Sequence, residues 1–125
     1  MHFIHTGLAA SSEKNAYDFY SAILGLEKSS PKNLDRDLSL AIFNIDCELL
    51  LLHYQSGTTD FEIIIYQGYS APEIQIAHSC IQVNSKESIV KKCRGAGLKV
   101  IEVPKGSGVI TFVSDYDGNL FELKE

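Results

Sequence analysis

Only three cysteines occur in the 125 residues, Cys47, Cys80 and Cys93, and no two of them share a CxxC spacing. An odd, unpaired set excludes a disulfide framework and a zinc knuckle and predicts reduced, mostly buried thiols. Long apolar runs are also missing. The longest, such as Leu49 to Leu52, are far too short to span a bilayer, and Met1-His2-Phe3 lacks the charged start and apolar stretch of a signal peptide. These absences predict no membrane association and a cytoplasmic protein. Basic charge is short as well, 11 Lys and Arg against 16 Asp and Glu, for a net charge of −5 without long runs. Such a balance invites neither nucleic acid nor an anionic membrane. The remainder is the mixture of an ordinary soluble globule, long enough for one domain or for two small fused halves.

Taken in order, Phe3 to Ala10 is short and apolar and predicts a strand with His5, Gly7 and Ala9 on one face. Ser11 or Ser12 supplies a helix cap. Ala16, Phe19, Tyr20, Ile23 and Leu24 then recur at helical spacing, and Gly25 provides a left-handed stop. Leu26 to Asp37 is polar and reads as a frayed strand and a loop. Leu38 to Asn44 and Glu48 to Tyr54 are two β-rich runs, most simply an antiparallel pair. Gln55 to Ile76 mixes loop-like pieces with Phe61 to Tyr66, a possible extra strand, and is treated as a crossover. The order then begins again. Ile76 to Val83 predicts a strand with His78, Cys80 and Gln82 on one face, and Asn84-Ser85 caps a helix carrying Ile89, Val90, Cys93 and Ala96 that ends at Gly97. Three strands follow, Lys99 to Val103, Val109 to Val113 and Leu120 to Lys124, the last two joined by a tight turn over Asp115 to Asn119.

The halves match in element order and in spacing. His5 and His78 are 73 positions apart, and Gly25-Leu26 and Gly97-Leu98 are 72 apart. A period of this size predicts an α+β fold of two βαβββ modules in tandem within a single domain, 1–125. Module one covers about 1–55, the crossover 56–75 and module two about 76–125. Carrying Glu122 back by 72 lands on Leu50.

One imidazole thus opens each module, and a carboxylate, Glu122, sits in the last strand. Two neutral His nitrogens and a Glu oxygen suit a divalent first-row metal with positions left for water or a chelating substrate. The same residues are equally compatible with hydrogen-bonded or solvated side chains that bind nothing.

The segments Ile4 to Ser11, Phe19-Tyr20 through Leu24-Gly25-Leu26, Ala77 to Val83, and Phe112 through Asp117-Gly118-Asn119-Leu120-Phe121-Glu122-Leu123 together resemble the vicinal-oxygen-chelate superfamily. This group includes glyoxalase I, methylmalonyl-CoA epimerase, fosfomycin-resistance thiol transferases, extradiol dioxygenases and metal-free bleomycin-binding proteins. The resemblance implies curved mixed sheets that close a metal-binding cup, with His5, His78 and Glu122 as ligands of a divalent ion (Zn, Ni, Mn or Fe) and Glu122 as the catalytic carboxylate. It further implies a homodimer in which His5 meets His78 and Glu122 of a partner subunit. Where glyoxalase I and the epimerase carry a fourth ligand, the period of 72 places Leu50, which moves the expected chemistry toward the three-ligand thiol transferases and dioxygenases. Glu48 and Tyr54 share strand parity with Leu50, so either could line the cup, and Glu48 could stand in for the missing carboxylate, although neither is counted among the expected ligands. His2 and His53 are expected at the surface. The function implied is a glyoxalase-like, metal-dependent enzyme of lyase or isomerase type that chelates a small oxygen-rich substrate. The alternatives are a metal-free protein that sequesters a small molecule, as in bleomycin resistance, and a thiol transferase or dioxygenase on the same three ligands.

Overall fold

The computed structural model describes all 125 residues, which fall into two compact units, Met1–Tyr69 and Ser70–Glu125. Both are α+β, each a mixed sheet with helix packed on it.

In the first unit, β1 (Thr6–Ala10) leads into α1 (Glu13–Ala16), whose cap is Ser12: its hydroxyl accepts from the Asn15 N–H at 3.1 Å. The helix continues as a π-helical turn, Tyr17–Ser21, in which Leu24 N–H donates to the Phe19 carbonyl at 3.0 Å. The expected stripe is buried, with Ala16, Phe19, Tyr20 and Ile23 all against the sheet side, and Gly25 ends the segment at φ 76°. Short strands β2 (Glu27–Lys28) and β3 (Lys32–Leu34) follow, then α2 (Arg36–Phe43), β4 (Leu49–Ser56) and β5 (Thr59–Ile65). The sheet order is β1-β5-β4-β2, with β3 also paired to β4. The β1–β5 pair is parallel and the others antiparallel.

Two expectations are corrected here. Leu38 to Asn44 is helical, because the Asp35 carboxylate caps it by accepting from Leu38 N–H at 2.9 Å, and Asn44 closes it in the left-handed conformation at φ 57°. Between those caps lie Leu, Ala and Arg, good helix formers, and the apolar run that looked like a strand belongs to a surface helix. The strand β5 lies within the stretch expected as a crossover. It is the central strand that joins β1 to β4, so the first unit runs on to Tyr69.

The second unit follows its expected order: β6 (His78–Gln82), α3 (Lys86–Gly95), β7 (Val100–Lys105), β8 (Gly108–Ser114) and β9 (Leu120–Lys124). Its sheet runs β6-β9-β8-β7, with β6 and β9 parallel. Ser85 caps α3 by accepting from Ser88 N–H at 3.1 Å, and Ile89, Val90 and Cys93 bury its inner stripe on β7 and β8. The β8–β9 turn is built on Asp115, whose side chain is almost fully buried. Its carboxylate accepts from the Asp117 and Asn119 backbone N–H groups, each at 2.9 Å, and from the Asn119 amide at 2.7 Å. Gly118 sits there at φ 86°, and a Cβ would come within 2.8 Å of Ala71 Cβ, so no other residue fits without a shift. No helix is long and apolar enough to cross a membrane.

Candidate functional site

Strand alternation sorts the first sheet into two faces. Tyr54 and Phe61 are cross-strand partners, buried under Tyr20 with ring centroids 5.4 and 5.8 Å from it. Their neighbours His53, Gln55, Asp60 and Glu62 therefore occupy the opposite face, where they are half-buried or exposed. Glu62 lies in register with Gly7 on β1 and with His53 on β4. His5, two residues before Gly7, brings its Nε2 to 3.8 Å from Glu62 Oε1.

The second unit repeats this arrangement. Glu122 lies in register with Cys80 on β6 and with Phe112 on β8. His78, two residues before Cys80, brings its Nε2 to 3.8 Å from Glu122 Oε2. The His78 Nδ1 lies 3.0 Å from the Ile76 carbonyl. A carbonyl only accepts, so that nitrogen carries the hydrogen and Nε2 is the ring nitrogen that faces the carboxylate. An aromatic ring stands edge-on to each histidine, His53 against His5 at 5.6 Å and Phe112 against His78 at 5.2 Å.

These pairs suit a metal. A separation of 3.8 Å is too long for a hydrogen bond, yet shorter than about 4.2 Å, twice the ordinary ion–ligand distance for His nitrogen and carboxylate oxygen. The two donors of each pair are near enough to be drawn onto one ion. A second ring nitrogen bonded to a backbone carbonyl, as in His78, is the usual support of a metal-binding imidazole. No group of three or more His, Cys, Asp or Glu side chains is arranged to hold an ion.

Electrostatics distinguish the two carboxylates. Lys124 Nζ lies 2.5 Å from Glu122 Oε1, and this contact holds the Glu122 carboxyl below the usual carboxylate range and the Lys124 ammonium above its own. The Cys80 thiol is pushed up by burial and by the Glu122 charge. In the first unit no lysine takes that place. His53 Nε2 lies 3.1 Å from Glu62 Oε2, and His53 Nδ1 lies 2.8 Å from Asp60 Oδ1. Burial works to raise the Asp60 carboxyl, but hydrogen bonds from His53 and Gln55 and the charges of His53 and His5 together hold it low.

Of the residues expected from the sequence, His78 and Glu122 are brought together in the second unit, and His5 stands in the first unit beside a carboxylate that the period of 72 did not indicate. The strand that pairs with β1 as β9 pairs with β6 is β5, and its in-register residue is Glu62, so Leu50 does not occupy the position equivalent to Glu122. Leu50 is the cross-strand partner of Ile65 and shares parity with Leu52 and Tyr54, both fully buried on the helix side. Tyr54 is thus a core residue, and Glu48 precedes β4 as an exposed side chain. His53, expected as a surface histidine, is four-fifths buried between two carboxylates. A signal for Glu62 was present: Phe61-Glu62-Ile63 repeats the pattern of Phe121-Glu122-Leu123.

Comparison with known proteins agrees with this architecture. The crystal structure of a glyoxalase family protein from Enterococcus faecalis is 20% identical over 99% of this chain and 97% of that one, with a TM-score of 0.73. The trypanothione-dependent glyoxalase I of Leishmania major is 21% identical over 98% and 85% of the two chains, TM-score 0.72. The fosfomycin resistance protein FosX of Listeria monocytogenes is 18% identical over 98% and 88%, TM-score 0.71. Among curated protein sequences none matches significantly. The profile of the Glyoxalase/Bleomycin resistance protein/Dioxygenase superfamily matches residues 2–123, nearly the whole length, and the chain belongs to that superfamily.

Proposed function

We propose that the protein is a metal-dependent enzyme of lyase or isomerase type, in which His5, Glu62, His78 and Glu122 hold one divalent ion (Zn, Ni, Mn or Fe). The observation that carries this reading is the duplicated His–Glu pair, with the same 3.8 Å separation and the same strand register in both units. A pair of side chains kept at a distance too long for their own hydrogen bond, twice over, fits donors that await an ion. The L. monocytogenes FosX variant solved with Mn(II) and a dihydroxypropylphosphonic acid shows that a protein of this fold takes both a divalent ion and a small oxygen-rich molecule.

When bound, the ion supplies a Lewis acid that draws charge from two substrate oxygens and acidifies the neighbouring C–H. The chain's own part is to hold that ion with two imidazoles and two carboxylates and to move a proton. Glu122, kept ionised by Lys124, is the carboxylate expected to act as base. Glu62 supplies the second carboxylate, for which the period of 72 had offered only Leu50. A four-donor set with two carboxylates favours proton-transfer chemistry over the three-ligand thiol transfer and dioxygenation.

The reading requires one pair of each kind at every ion, from a single chain or from the two chains of a symmetric homodimer. Untagged protein incubated with Ni²⁺ or Zn²⁺ and then dialysed is expected to retain about one ion per chain, and His78→Ala to retain none. Light scattering on the same samples gives the mass of the assembly. Retention of no ion by the unaltered chain refutes the metalloenzyme reading and favours a metal-free protein that sequesters a small molecule.

A further inference from the structure

The two half-sites are not copies in one respect. In the second unit the cross-strand partner of the glutamate on the neighbouring antiparallel strand is Phe112, which packs edge-on against His78 and has no polar atom. In the first unit the same slot is filled by His53, which packs edge-on against His5 and also reaches the glutamate. Its Nε2 lies 3.1 Å from Glu62 Oε2, and its Nδ1 lies 2.8 Å from Asp60 Oδ1. Gln55, the cross-strand partner of Asp60, donates its amide to Asp60 Oδ2 at 2.8 Å. A chain of interactions therefore runs Gln55, Asp60, His53, Glu62, His5, on one face of one sheet. Every side chain in its middle is about four-fifths buried, with relative exposures of 17% for Asp60, 19% for His53 and 21% for Glu62.

We infer that His53 is a positioning residue for Glu62, with its ring fixed by Asp60, so that Glu62 Oε1 is presented toward His5 Nε2 while Oε2 is occupied. This rests on the ligand reading above and extends it to two residues outside the ligand set. The physical reason is rotational. A glutamate on a strand has three free torsions, and a carboxylate in solvent would spread over them, at a cost in side-chain entropy each time it is immobilised by an ion. The close contact of the ring nitrogen with one oxygen restricts the carboxylate before the ion arrives. Because the ring is itself held at its far nitrogen, it cannot turn to follow the carboxylate. In the second unit Lys124 serves the same end from the same strand, through Glu122 Oε1. The slot occupied by Phe112 was then free to be apolar.

The natural test is His53→Phe, which copies the second unit, keeps an edge-packed ring against His5 and removes both polar interactions. Co²⁺ binding, followed by its visible absorption, is expected to weaken by about 10-fold to 100-fold, the usual loss when a support of a metal ligand is removed. Asp60→Asn should show a smaller loss in the same direction. His53→Gln, whose amide N–H can still reach the Glu62 carboxylate, should recover much of the affinity, which a merely structural role for the ring would not give. Apparent Tm without Co²⁺ verifies that each variant is folded. A metal-free arm reads the two ring contacts themselves. In ¹⁵N spectra of the histidine rings, Asp60→Asn should shift chiefly the Nδ1 signal of His53, and Glu62→Gln the Nε2 signal. His53→Phe binding Co²⁺ as tightly as the unaltered chain, or ring signals indifferent to Asp60 and Glu62, overturns the inference while leaving the ligand set intact. No Co²⁺ binding by the unaltered chain overturns the ligand set and this inference together.

Discussion

Removing the Glu62 carboxylate tests the correction from Leu50 most directly. Glu62→Gln changes one oxygen to nitrogen on a side chain that faces away from the buried Phe61 and Ile63, so the fold should be nearly indifferent to it. The ion pairs of Glu62 with His5 and His53 are partly exposed, and breaking them should cost about 1 kcal/mol or less. The effect on an ion is far larger. If losing a support of a ligand weakens binding by about 10-fold to 100-fold, losing the ligand itself should reach about 100-fold or more. Linkage turns this into a melting temperature. At free Ni²⁺ equal to 100 times the dissociation constant, binding adds about 2.7 kcal/mol of stability, and a 100-fold weaker site at the same concentration adds only about 0.4 kcal/mol. For a chain of this size the first figure corresponds to a rise of about 10 °C and the second to about 1–2 °C. Thermal unfolding of both proteins across a Ni²⁺ titration measures it. Leu50→Glu, run alongside, should gain no affinity and lose stability, since it puts a carboxylate on the strand face shared with Leu52 and Tyr54. A Glu62→Gln protein stabilised by Ni²⁺ as strongly as the unaltered chain, or a tighter Leu50→Glu, would refute the register argument.

Packing leads to three further outcomes. A thiol reagent at neutral pH should label the exposed Cys47 and Cys80 in the folded protein. Cys93 should react only on unfolding, since its thiol is fully covered and pushed up to about 11 by burial. Tyr54 is fully buried with no protein partner for its hydroxyl, so Tyr54→Phe should raise stability by about 1 kcal/mol. The same substitution should also reduce alkaline unfolding: burial first, then the charges of Glu13 and Tyr17, lift Tyr54 from 10.0 to about 12. The neutral form is the one the fold favours, so its contribution is fully present below pH 10 and is lost as pH rises from 10 to 12. Denaturant titrations at pH 8 and pH 11 measure both effects. Asp115→Ala removes the acceptor of two backbone N–H groups and one amide in a buried turn and should cost about 3 kcal/mol, read as a fall in denaturation midpoint.

The second unit was legible almost strand by strand, and the reason is local: each of its elements is bounded by a residue whose chemistry signals a boundary, Ser85 at the start of α3, Gly97 after it, Gly106 and Gly118 in its turns. The first unit carries the same signals, but it also carries α2, and the alternation of Leu38, Leu40 and Ile42 running into Phe43 gave that helix the look of a strand. With a false strand counted, the true last strand, β5, was one too many and fell into the supposed crossover. The period then failed where it mattered. His5 lies before the extra helix of the first unit and keeps its offset to His78, whereas Glu62 follows His5 by 57 positions and Glu122 follows His78 by 44. A constant offset assumes equal loop lengths, and insertions in loops are the cheapest change a fold can absorb. What survives such an insertion is register, because a slip by one residue would turn every side chain of a strand to the other face. Hence the reliable route to Glu62 is the short pattern that register preserves, Phe-Glu-aliphatic, with the aromatic in the core and the carboxylate on the open face. The contacts of His53 with Asp60 and Glu62 had no comparable signature, since they join β4 to β5 across a pairing that the false strand concealed. Once β5 is placed, both follow from its register with β4 alone.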